Sequence, residues 1–523
     1  MDSPTVYVKQ GKLLGKFDKD YHGNKFIAFY GIPYAKPPVG PLRFKAPQPP
    51  ESWGEEIRDA RNEGDQSFSR NMITQELMGS EDCLSLNVFT KDLPKVESKL
   101  KPVMLWIHGG GFTSGSSSSQ FYGPNFLITE DIVLVTINYR LGIFGFLSFD
   151  DPELEVSGNA GLKDMVMALK WVQKNIHNFN GDPSNVTIFG ESAGGAAVHL
   201  LVLSPMAKNL FHKAIAQSGC ANSIWACGKK GAKEIIEYFG LTCKKDKDVL
   251  KALQNMTKEQ LYEAQESIKE VFKANELRPF SPVIENPNVK GDVFLAEHPN
   301  KIMSIGNYNH VPLIMGYTSE EGMFFAATKK MLNADGKFTN FENVVPHHLN
   351  LELGSTKSKE IAERIKDFYY KGNNDLSSID IFYKLQSANW FTRDILNCFK
   401  HHVATNSYPS YLYKFAAETS LNIFKIMCEI KEKGAAHGDD LGYLFTGMFS
   451  PAIKPGSIEE ICMKRLVKLW TSFAKTGKPE ITEVDWKCAE IDQINYLNFA
   501  EKVTCEKNPE TEMINFWNDI FSL

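Results

Sequence analysis

Apolar residues gather in short runs along this chain, separated by longer mixed segments. The runs fall at 24–35, 84–90, 103–107, 132–137, 186–189, 213–217, 311–315 and 411–415. The central runs are continuous rather than alternating, which is the pattern of strands covered on both faces. Between them, 162–176 repeats apolar residues at 162, 165, 166, 169 and 172 and predicts a helix. A second helix is predicted over 457–475, with Ser457 and Glu460 as a capping box and a stop near Gly477 and Pro479. The charged stretch 229–273 has helical character and reads as an insertion above a sheet. The tail 513–521 reads as a short amphipathic helix that packs on its own core. Gly115–Ser119, GSSSS, is expected to be a mobile loop. No repeat and no Pro/Gly-rich linker divides the chain. The predicted architecture is a single α/β domain over 1–523, with a large, mostly parallel sheet flanked by helices and carrying helical insertions.

Composition narrows the function classes. The chain has 523 residues, 43% hydrophobic and 23% charged, with a formal net charge of -5. That is ordinary for a globular protein with a large core. No long basic run occurs, so nucleic acid is not an expected partner. No stretch reaches the roughly 18 consecutive apolar residues of a membrane span. The N-terminus lacks the apolar block of a secretory signal, and the C-terminus is not an ER-retention signal. Nine cysteines, with no C-x-x-C pair or other zinc spacing, fit reduced thiols and a cytoplasmic location. No metal or cofactor is expected.

Candidate chemistry centres on Gly190-Glu191-Ser192-Ala193-Gly194. It joins a predicted strand directly to a helix rich in small residues. A turn that sharp strains the residue at its apex and needs small neighbours two positions away. Such a G-x-S-x-G elbow lifts a serine hydroxyl clear of the backbone. Serine needs a base, and the base needs an orienting acid. On such strand–turn–helix frames the order along the chain is serine, acid, histidine. The strand reaching Thr318 runs into Ser319-Glu320-Glu321-Gly322, so Glu321 is the candidate acid and Glu320 its rival. Five histidines follow: 347, 348, 401, 402 and 437. His437, in Gly434-Ala-Ala-His-Gly-Asp-Asp440, has the small neighbours that let an imidazole enter a cleft. His108-Gly-Gly-Gly-Phe112 follows the run 103–107 and offers the N–H groups of Gly110 and Gly111 to an oxyanion, with Ala193 as a third donor.

These pieces together resemble the type-B carboxylesterase family, the branch of α/β-hydrolases that includes cholinesterases. The resemblance covers almost the whole chain. It is carried by Gly31-Ile-Pro-Tyr-Ala35 with Pro37-Pro-Val-Gly40, Glu81-Asp-Cys-Leu84, His108–Phe112, Asn138-Tyr-Arg-Leu-Gly142, Gly158-Asn-Ala-Gly-Leu162 and the elbow. Its texture is most similar to insect α-esterases. The resemblance implies an α/β-hydrolase fold and a triad of Ser192, Glu321 and His437, which settles Glu321 over Glu320. It implies that Trp225 lines the acyl pocket and that Ser218 hydrogen-bonds to the triad. Cys83 matches a family disulfide cysteine, but 59–71 offers no partner. No tryptophan lies in 61–82, where cholinesterases hold a choline ammonium. Glu191 stands where juvenile hormone esterases usually have glutamine, and with Ser218 it is expected to support the triad from behind the reacting groups. Glu276–Phe280, on the acyl side in relatives, is of mixed character. The implied function is a serine carboxylesterase acting through an acyl-serine. Its expected role is detoxification of xenobiotic esters, insecticides included, with organophosphates as covalent inhibitors. Alternatives are organophosphate sequestration with little turnover, or hormone and lipid ester hydrolysis.

Overall fold

The computed structural model describes residues 3–71, 74–241, 245–268, 277–327, 331–332, 336–372 and 375–523. Cys243, Glu276 and part of the 229–273 stretch lie outside these. The described chain is built on an eleven-stranded sheet. In chain order its strands are β1 (Lys16–Lys19), β2 (Lys25–Pro33), β3 (Ser85–Thr90), β4 (Lys101–Ile107), β5 (Val133–Ile137), β6 (Gly181–Glu191), β7 (Lys213–Gln217), β8 (Leu313–Thr318), β9 (Ser410–Phe415), β10 (Asn495–Phe499) and β11 (Thr504–Lys507). Their spatial order is β11-β10-β9-β8-β7-β6-β4-β5-β3-β2-β1. Pairing is parallel from β5 through β4, β6, β7, β8 and β9 to β10, and antiparallel at both margins.

The continuous apolar runs have a direct structural cause. In β4, Val103, Leu105 and Ile107 enter one core while Met104 and Trp106 enter the core on the opposite face. Helices cover both sides. Ala160–Asn175 and Ala193–Leu203 bury apolar side chains in the first core, and Ile458–Thr476 buries Leu466, Leu469, Trp470 and Phe473 in the second. The Ser457 hydroxyl accepts from the Glu460 N–H at 3.4 Å, and Gly477 ends the helix with φ 81°. The reciprocal bond falls one residue early, for Glu460 accepts from the Gly456 N–H.

The insertion forms helices Ala232–Tyr238, Asp246–Asn255 and Lys258–Ile268. Arg43 ties it down by donating to the carbonyls of Leu253, Gln254 and Met256. Thr511–Phe521 packs on the chain's own core, with Ile514, Trp517 and Ile520 buried and the Trp517 Nε1–H donating to the Tyr369 hydroxyl. Two expectations are corrected. The 115–119 loop is fastened rather than mobile: the Ser117 N–H donates to Asn138 at 2.8 Å, and Ser119 donates to Glu63. The run at 311–315 becomes a strand only at Leu313, after Pro312, whose nitrogen has no hydrogen to donate. Among the described residues, no helix is long and apolar enough to cross a membrane.

Candidate active site

The groups singled out from the sequence converge at the carboxyl ends of the parallel strands, where α/β sheets place their sites. β6 ends at Glu191, and Ser192 is the N-cap of Ala193–Leu203. Its backbone sits at φ 57°, ψ −122°, a conformation that costs on the order of 1–3 kcal/mol. The glycines make it sterically possible. A Cβ at Gly190 would stand 2.6 Å from the Ile107 carbonyl, and one at Gly194 would run into the same oxygen. Two backbone bonds hold the elbow, Ser192 N–H to the Gln217 carbonyl and Ala196 N–H to the Ser192 carbonyl, both 2.9 Å.

Glu321 follows β8 and is fully buried. Its Oε1 accepts from the Thr318 N–H at 2.8 Å, and its Oε2 lies 2.6 Å from His437 Nδ1. Glu320 is turned to other company, among Lys384 and Lys414. His437 stands in the loop after β9. Asp439 fixes that loop by accepting from the N–H groups of Ala436 and Lys425 and from Asn422, which explains the acidic pair that follows His-Gly. Asp440 is buried beside it and accepts from Gln217 and the Tyr413 hydroxyl. Phe324 and Phe391 pack on the imidazole at ring distances of 5.3 and 4.4 Å.

Ser192, His437, Gly110, Gly111, Glu191 and Trp225 line one cavity of about 480 Å³. A larger cavity of about 600 Å³, around His298, His347 and Arg393, touches none of the predicted site residues. Gly110 (φ 106°) and Gly111 (φ 62°) form the turn after β4, and among the described residues their N–H groups have no protein acceptor. His108 is buried, stacks on Tyr139 at 4.4 Å and is driven down to about 4 by burial, despite its bond to the Gly109 carbonyl. It is a neutral buttress of that turn. Trp225 is buried, with its Nε1–H donating to the Trp390 carbonyl at 2.9 Å.

One expectation fails and one contact is new. The Ser218 hydroxyl is buried without a protein partner, so the hydrogen bond to the triad is not made. Its N–H is spent on the Gly316 carbonyl, and its φ of 52° fixes the turn after β7. Glu191, expected from the sequence to support the triad from beside the serine, puts its Oε1 3.1 Å from His437 Nε2. No local pattern signals that approach, because the two residues are brought together only by the fold. Burial, with Asp440 and Glu321 adding to it against the pull of His437, raises Glu191 to about 8. For His437, burial opposes the charged ring, but Glu191, Glu321 and Asp440 outweigh it and raise it to about 9.

A strained serine at a strand–helix elbow, a buried acid–imidazole pair and a glycine turn in one cavity define an α/β-hydrolase with the equipment for acyl transfer. The chain belongs to the carboxylesterase family, whose profile matches residues 2–517. It is 34% identical to a juvenile hormone esterase of Tribolium castaneum, covering 95% of this chain and 86% of that protein. It is 32% identical to a carboxylic ester hydrolase of Bombus ignitus, covering 99% and 94%. The solved juvenile hormone esterase of Manduca sexta, with OTFP covalently attached, superposes with a TM-score of 0.88 at 29% identity over 100% of both chains. The protein is a serine carboxylic ester hydrolase.

Proposed function

We propose that Ser192 is the nucleophile, His437 the base and Glu321 its orienting acid. The observation that carries this is the 2.6 Å contact between Glu321 and His437 Nδ1 in the cavity that Ser192 also lines. Ser192 Oγ bonds to the ester carbonyl carbon while His437 Nε2 takes its proton. The carbonyl oxygen becomes an oxyanion held by the N–H groups of Gly110, Gly111 and Ala193. As the tetrahedral intermediate collapses, the C–O bond to the alcohol breaks and His437 returns the proton to the leaving oxygen. Water, deprotonated by the same imidazole, then releases the acid. Replacing Gly110 with alanine drives a Cβ into the Ser114 carbonyl. The expected result is a loss of about 10²-fold in kcat, read by steady-state kinetics on a folded variant.

The reading extends to small or moderately apolar foreign esters. Support comes from the aromatic wall of the cavity, formed by Phe324, Phe391, Phe424, Phe445 and Phe449. Organophosphates are expected to phosphorylate Ser192. A reducing, cytoplasmic setting is supported by the eight described cysteines, all free, with Cys83 buried. Stopped-flow mixing with a short-chain chromogenic aryl ester tests the scheme. A burst of alcohol near one equivalent, followed by steady turnover, is the expected outcome. A burst with almost no turnover would instead mark a sequestering protein, and no turnover at all would refute the esterase scheme.

Glu191 sets the pH behaviour. Glutamine at this position removes a carboxylate from beside His437 and lowers the imidazole pKa. The free base then exists at lower pH. The acidic limb of kcat/KM for Glu191→Gln is expected to move down by about 1 pH unit. An unmoved limb would mean that Glu191 carries no charge over that range.

A further inference from the structure

Among the described residues, the catalytic cavity contains one cation without a countercharge. Arg278 lines it beside the oxyanion turn, and a Cβ built on Gly111 would lie 3.6 Å from the guanidinium Nη1. Its backbone is anchored, with the Arg278 carbonyl accepting from the Lys229 N–H at 2.8 Å. The side chain is half-buried, and among the described residues it has neither an ion pair nor a hydrogen-bond acceptor. Burial alone lowers it, to about 10, so it stays charged at neutral pH. The other charged groups of the cavity wall are accounted for. Arg70 donates to the Gln75 carbonyl and lies 4.0 Å from Glu266. Glu191 faces His437, and much of the remaining wall is aromatic. A partly desolvated guanidinium with no protein partner is stabilised by an anion that enters beside it. Its planar fork matches a carboxylate.

We propose that Arg278 recognises a carboxylate carried by the ester a few bonds from the scissile carbonyl, so that half-esters of dicarboxylic acids and esters of hydroxy acids are favoured substrates. This rests on the Ser192 esterase reading and deepens it. In the Michaelis complex the carboxylate replaces water at the guanidinium, while the carbonyl oxygen enters the adjacent glycine turn. The pairing is made in ground and transition states alike, so it appears mainly in KM.

The test compares matched esters by acid release: monoethyl glutarate against ethyl pentanoate, and butanoyloxyacetate against propyl butanoate. Arg278→Met is expected to lower kcat/KM by about 10–100-fold on the anionic member of at least one pair. The neutral members should change less than about 3-fold, which also reports that the variant is folded. Arg278→Lys, which keeps the charge, should recover part of the loss, and rising salt should weaken only the anionic reaction. Equal losses on charged and neutral esters would overturn the proposal, because Arg278 would then serve the oxyanion or the fold. Unchanged kinetics on both anionic esters would overturn it as well. If the unmodified protein shows no burst and hydrolyses none of the four, the esterase reading fails instead.

Discussion

Replacing Ser192 with alanine is expected to abolish the burst and to lower kcat by about 10⁶-fold. Residues of a triad act as a unit, so removing the nucleophile removes the acyl-enzyme route altogether. What survives is the polarisation of the carbonyl by the glycine turn, worth on the order of 10³–10⁴ over water. The variant should remain folded. Alanine has no stronger objection than serine to φ 57°, and the elbow is held by backbone bonds and by the close approach of Gly194 to Ile107. The measurement is single-turnover kinetics beside a thermal melt. Turnover within tenfold of the unmodified protein would exclude Ser192 as nucleophile.

Glu321→Gln is the second large effect, an expected loss of about 10⁴-fold in kcat with substrate binding little changed. The carboxylate accepts twice, from the Thr318 N–H and at His437 Nδ1. A carboxamide has one acceptor and one donor end. If its oxygen faces Thr318, its NH₂ meets Nδ1 and forces the hydrogen onto Nε2, the atom that must receive the serine proton. If it is flipped, the buried Thr318 N–H faces a second donor. Either orientation loses the working tautomer or strains the end of β8. Proton NMR of the imidazole checks this directly, with the Nδ1–H resonance lost or shifted in the variant. A loss below tenfold would show that Glu321 does not set the tautomer.

The centre of the sheet was legible because burial on both faces writes itself as unbroken apolar runs such as 103–107 and 132–137. Its margins were not. β1 (KFDK) and β11 (TCEK) are edge strands, with polar residues that carry no strand signal. β6 begins five residues before its apolar run, across an irregular register between Gly181 and Val186 that only its neighbour β4 defines. At the site, the elbow and the glycine turn were readable because their chemistry lies in consecutive residues. Glu321 and His437 needed chain order and resemblance, since they are 116 positions apart. Glu191 against His437, and Arg278 beside Gly111, had no sequence signal, for each contact exists only in three dimensions. The Ser218 bond was inherited from resemblance, and local geometry cancels it.

Ser192, Glu321 and the glycine turn leave directly from the ends of sheet strands, and His437 is reached by a buried loop pinned through Asp439, whereas much of the cavity wall is neither. Arg278, Phe424, Met427, Met448 and Phe449 belong to the excursions between sheet strands, Phe424 and Met427 on the short helix Ile423–Met427. Chemistry and selectivity are therefore inherited separately. A lineage can rewrite its excursions, and so its diet of esters, while the strand ends stay fixed and the bond-breaking step goes on unchanged beneath them.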